Sequence, residues 1–207
     1  AYEIGVRLVV SEMCIRDRTG ENSFLRLSAE PGGEVTSTNS HWRIIISPVG
    51  PGHVLFTRGE HTDDAPRIYS DNAALARWLQ EGIQASMGDQ YSGNVPVIEA
   101  EFWKSGDTLS VWNEYVSSRD DDITMTWYGL GEPVMMANPP GSSEQQPHGV
   151  YSLLVPAARA QMSMNGVFLP GDSQPRELPD GTMISTCCIA LSETWTIPRE
   201  HPWAKDS

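Results

Sequence analysis

From Ser23 onward, apolar and polar residues mostly alternate with a period of two, the mark of half-buried strands. Phe24, Leu25 and Leu27 predict a first strand, broken by Gly32-Gly33 and a polar run to Ser40. Trp42 to Ser47 reads as a buried, Ile-rich strand stopped by Pro48 and the turn Gly50-Pro51-Gly52. His53 to Thr57 pairs with it as a hairpin, and Arg67 to Ser70 adds a short extended piece. The period then changes. Leu75, Trp78, Leu79, Ile83 and Met87 recur at three- and four-residue spacing, which predicts one amphipathic helix over about 72–87. Ser70 or Asp71 is the expected N-terminal cap, and Gly88 the stop. Arg77, Gln80, Glu81 and Gln84 fall on the side expected to face water, and the helix is expected to plug or flank the sheet.

Strands resume at Val97. Ile98, Ala100 and Phe102 lie on one face, and Glu99, Glu101 and Trp103 on the other. After the Gly106-Asp107 turn, Thr108 to Ser117 sets Leu109, Val111 and Tyr115 opposite Trp112, Glu114 and Val116. Ile123, Met125 and Trp127 alternate with threonines. Asn138 to Gly149 reads as a long loop, and Val150–Val155 with Ala160–Met164 as a hairpin turning at Pro156. Asn165-Gly166 reads as a further hairpin turn. Gly171 to Gly181 is another long turn, and Met183 to Ile197 one long closing strand. The count of about nine strands with one helix predicts a mainly β fold, an antiparallel barrel or a two-sheet sandwich. No repeat or composition shift divides residues 19–198, so they read as a single domain, with 199–207 as a loose polar tail. The long loops 138–149 and 169–181 are placed to cover one end of a barrel.

Composition narrows the class. The 207 residues carry 14 Lys and Arg against 27 Asp and Glu, a formal charge of −13. With its arginines scattered, such a chain lacks the basic patch that nucleic acid demands. No apolar run approaches the roughly 18 residues of a membrane helix, so a soluble protein without a membrane span is expected. The three cysteines, Cys14, Cys187 and Cys188, include an adjacent pair whose side chains leave a strand on opposite faces. That excludes a disulfide scaffold and favours a reducing, cytoplasmic setting.

The segment LVVSEMCIRDR, Leu8 to Arg18, resembles the translated adapter read-through found at the ends of proteins predicted from environmental DNA. On that resemblance residues 1–18 are not native, the visible natural sequence starts near Thr19, and Cys14 drops out of the native count. The alternative is an ordinary strand over Ile4–Val10 followed by a polar turn.

Candidate chemistry is sparse. Glu99, Glu101, Glu114 and Glu193 each lie on a strand near a tryptophan. Facing inward, a carboxyl beside an indole has a raised pKa and can act as a general acid or base. Facing outward, alternating glutamates are simply the wet face. Glu114 and Glu193 are the catalytic candidates, because their strands are otherwise apolar on both faces. Trp103, Trp112, Trp127, Trp195 and Tyr115 are the candidate ligand-binding aromatics. His41, His53, His61, His148 and His201 show no metal-ligand spacing, and His61 with Asp63 and Asp64 reads as a solvated loop, so no metal or cofactor is implied. Cys187 and Cys188 read as packing residues.

A barrel with tryptophans on its strands is similar in architecture to the lipocalin-like barrels. The usual G-x-W motif is missing, since Trp42 follows Ser40-His41, and no residue role carries over. The similarity implies a small-molecule binding protein whose barrel interior is a cavity for an apolar or aromatic ligand. The alternatives are a metal-independent isomerase, hydratase or hydrolase working through buried carboxylates, and a protein-interaction module presenting exposed tryptophans.

Overall fold

The computed structural model describes residues 15–139, 149–178 and 181–196. They form a closed nine-strand β-barrel, so the barrel alternative holds over the sandwich. The strands are β1 (Ile15–Ser28), β2 (Val35–Ile46), β3 (Gly52–Gly59), β4 (Arg67–Ser70), β5 (Val97–Gly106), β6 (Val111–Ser118), β7 (Asp122–Leu130), β8 (Val134–Asn138), β9 (Gly149–Met164), β10 (Val167–Phe168), β11 (Pro175–Glu177), β12 (Met183–Ser185) and β13 (Cys187–Thr196). The barrel runs β1 through β7 in order, then β9 and β13, and β13 closes on β1. All pairings around it are antiparallel except β4 with β5. A parallel pair requires a long crossover, and the helical segment supplies it.

β9 is one continuous strand of 16 residues, where a hairpin at Pro156 was expected. Its first half pairs with β13 and its second half with β7. Pro156 sits where the partner changes, so its missing N–H leaves the ladder intact, and its carbonyl accepts from the Gly131 N–H at 2.8 Å. The stretch expected as one strand from Met183 to Ile197 is divided into β12 and β13. The long turn of 171–181 contains β11, which pairs with β12 as a flap outside the barrel. Asn165-Gly166 is the tight turn expected, with φ of 53° and 79°.

The helical segment begins at α1 (Ala73–Leu79). Its cap is Asn72, which accepts from the Leu75 N–H at 3.1 Å; Ser70 and Asp71 were the expected caps. Ser70 instead steadies the approach by accepting from the Asn72 N–H at 2.9 Å. Residues Gln80–Gln84 form a π-helical turn before the last turn, Ala85–Met87. The wider turn slips the apolar stripe. Gln80 and Gln84, expected to face water, are buried. Gln80 donates to the Tyr91 and Gly93 carbonyls at 2.6 and 3.1 Å, and Gln84 to the Ser40 hydroxyl at 3.2 Å. Those bonds offset the cost of burying two amides.

Three cores result. Inside the barrel, Leu25, Leu27, Leu55, Tyr69, Trp112, Val116, Met125, Trp127, Met162 and Ile189 pack together. Outside β1–β4, the helix lays Leu75, Ala76 and Leu79 on Trp42, Ile44, Val54, Phe56 and Ile68. Outside β9 and β13, residues Val134, Met136, Leu178 and Ile184 cover Leu154, Cys188 and Ala190. Phe24 joins the second and third cores. No helix among the described residues is long and apolar enough to cross a membrane.

Candidate functional site

Two places concentrate chemistry: a polar cluster inside the barrel and a groove on its outer surface.

β2 builds the first. Its odd positions point inward and its even positions outward, so His41 and Arg43 enter the barrel while Trp42 and Ile44 lie beneath the helix. Across from them β6 projects Trp112, Glu114 and Val116 inward. Glu114 is 1% exposed. Its carboxylate accepts from the Trp112 indole at 2.8 Å and from the Arg43 guanidinium at 2.7 Å. Burial pushes the Glu114 carboxyl above its ordinary value, opposed by the charge and hydrogen bond of Arg43 and by the indole. Arg43 also donates to His53 Nε2 at 2.8 Å, which fixes the His53 proton on Nδ1, facing Asp71 at 2.5 Å. Glu21 sits 3.2 Å from Arg43 and takes two bonds from the Lys104 ammonium, itself 4.5 Å from the Trp112 ring centroid. The alternating charges let this much polarity lie within a barrel.

His41 stands apart in that cluster. It is as buried as Glu114, stacks on Phe102, and lies 3.8 Å from the Glu114 carboxylate. Neither ring nitrogen has a hydrogen-bond partner among the described residues. Burial, then the positive charge of Arg43, holds its pKa well below 6.5, so the ring is neutral in the fold. His61 is pushed down to about 4, mainly by burial. Both histidines take up protons more readily unfolded than folded. Their contribution is therefore complete above about pH 6.5 and falls as the pH drops below it. The raised Glu114 pKa acts in the opposite sense, above 4.5. With two histidines against one carboxyl, the urea midpoint is expected to fall between pH 7 and pH 5. The His41→Leu variant should show a shallower fall over that range. A wild-type midpoint that holds level or rises there would contradict this account.

The expected site residues divide. Trp112 and Trp127 are inside the barrel and buried in its core. Trp103 is 48% exposed on the outer face, where it stacks on Tyr115 with ring centroids 5.4 Å apart. Glu99 and Glu101 are exposed on that same outer face. Glu193 is half-buried on β13, opposite Thr19 and Tyr151, and so lies on other strands than Glu114. The Trp195 side chain, Cys14, and most of loop 138–149 lie outside the described residues, as do His148 and His201. Cys187 and Cys188 are free and buried, one in the barrel core and one beneath the flap.

His41 and Arg43 were missed because a strand reading Trp-polar-Ile places its polar residues on the wet face. Here the helix makes the outer face dry.

The second place is a groove of about 420 Å³ between the two outer covers. Its floor is Phe24, Ser40, Leu154 and Cys188 on the barrel wall. The helix end supplies one side with Gln84, Met87, Gln90 and Tyr91. β8 and the flap supply the other with Met136, Arg176, Leu178 and Ile184. The volume and the mixture of apolar and hydrogen-bonding lining groups suit a small ligand. The π-helical turn borders it and aims Gln84 at its floor, a placement common at functional sites. A larger depression of about 750 Å³ lies beyond the helix, lined by Arg77, Glu81, Asp89 and Ser92, with charge of both signs facing water.

No family model, curated protein or solved structure matches this chain.

Proposed function

We propose that this protein is a small-molecule binding barrel whose apolar or aromatic ligand lies in the outer groove. The observation that carries the reading is the groove itself, about 420 Å³ with an apolar floor between two covering elements. The barrel interior is the less favoured place. Trp112 and Trp127, the interior pair among the expected ligand aromatics, are packed among Leu25, Met125, Val155 and Met162. Trp103 and Tyr115 lie on the opposite side of the wall, away from that interior.

A neutral fluorophore, N-phenyl-1-naphthylamine, tests the reading. Its emission should rise on mixing with the protein. The Met136→Glu variant, which replaces an apolar part of the groove wall with a charge, should weaken binding of this neutral probe about tenfold, since an apolar ligand must then strip water from a carboxylate. No rise in emission, or a rise indifferent to Met136→Glu, counts against the groove.

A second reading, an enzyme working through Glu114, draws on the neutral His41 ring 3.8 Å from that carboxylate. The pair resembles a proton donor and acceptor held in a dry setting. Its access route would have to pass Arg43, Glu21 and Lys104, which are themselves held in ion pairs. For that reason the binding reading takes precedence.

A further inference from the structure

We infer that the groove's ligand is an amphiphile with an anionic head group, received by Arg26 and Arg176 above the apolar floor. The inference rests on the binding reading above and specifies its ligand.

Charge carries it. The chain has 27 acidic residues against 14 basic ones, so an arbitrary surface depression is expected to show acids. Among the described residues this groove has none in its lining, while two arginines stand in it. They come from separate elements: Arg26 from the outer side of β1, and Arg176 from β11 on the flap. Arg43, Arg67 and Arg159 are each held by a carboxylate. Among the described residues neither Arg26 nor Arg176 is in an ion pair. Two unspent guanidiniums beside an apolar surface, in a strongly negative protein, form a local positive field. A guanidinium pairs with a carboxylate or phosphate through paired N–H donors.

The rest of the groove fits the remainder of such a molecule. Phe24, Met87 and Met136, which keep exposed surface, offer the apolar part. The positive charge of Arg176 is also felt on the floor, where it partly opposes the rise that burial imposes on the Cys188 thiol.

Titration calorimetry with four ten-carbon ligands separates the possibilities: decanoate, decyl phosphate, decanol and decyltrimethylammonium. At least one anion should bind about tenfold more tightly than decanol, and the cation should bind least. Whichever anion is tighter assigns the head group. Arg26→Gln and Arg176→Gln should each weaken the preferred anion about fivefold, the scale of a partly exposed charge pair, and leave decanol unchanged. Circular dichroism of the variants should match the parent. Equal binding of decanol and both anions, unmoved by either substitution, overturns the anionic head group but leaves the groove standing. Failure of all four ligands, together with no binding of the neutral fluorophore, overturns the binding reading itself.

Discussion

The Trp127→Ala variant is expected to lose about 4 kcal/mol of stability, and its melting temperature should fall on the order of 10 °C. Trp127 is completely buried on β7, in the middle of the barrel core. It meets Ala160 across the β7–β9 ladder and Trp112 across the β6–β7 ladder. Removing the indole leaves a large void ringed by strands whose backbones are locked to one another, so little of it can collapse. The indole N–H also donates to the Phe24 carbonyl at 3.0 Å, joining β7 to β1 across the interior. That carbonyl belongs to the residue on which the helix-covered and flap-covered cores meet. The damage should therefore reach outside the barrel. Trp127→Phe keeps the ring volume in part and loses the hydrogen bond, and about half the cost is expected. Urea denaturation of the three proteins measures the series. A cost below about 1 kcal/mol for alanine would mean that the interior is far less tightly packed than described.

Glu114→Ala is expected to cost about 3 kcal/mol, by a different mechanism. The carboxylate is the shared acceptor of Arg43 and the Trp112 indole. Without it the indole N–H is buried without an acceptor and the guanidinium keeps only its ion pair with Glu21 and its hydrogen bond to His53. The estimate stays at the lower end for buried pairs because Arg43 is partly exposed. A double variant, Glu114→Met with Arg43→Met, should cost much less than the sum of the single changes, since no charge is then left alone. Additive costs in that cycle would show that the two side chains are not coupled.

Local signals in the sequence proved the readable ones. The β2–β3 hairpin follows from an Ile-rich run, a Pro-Gly turn and a second run. That Trp112, Glu114 and Val116 share one face follows from strict alternation. The Asn165-Gly166 turn follows from two residues that accept positive φ. What was not readable depends on partners distant in the chain. Pro156 looks like a turn because proline costs a ladder bond; here no bond is due at that residue. Gln80 and Gln84 look solvent-facing because a 3.6-residue period was assumed through a wider turn. The buried state of Glu114 was legible as a possibility, but its partner Arg43 was not, since 71 residues separate them. The groove was beyond reach entirely. Its lining runs from Phe24 to Cys188, and no short segment betrays it.

The double pairing of β9 has a consequence for synthesis. Its first half needs β13 on one edge, and β13 is also the second neighbour of β1. Until residues 187–196 have emerged from the ribosome, one edge of β1 and one edge of β9 have no strand beside them. A nascent chain at that stage offers two open edges, including the apolar run Leu153–Val155, to any other extended chain nearby. Ribosome pausing before β13 should thus be the moment of greatest aggregation hazard, and a holdase that shields strand edges would be most useful then.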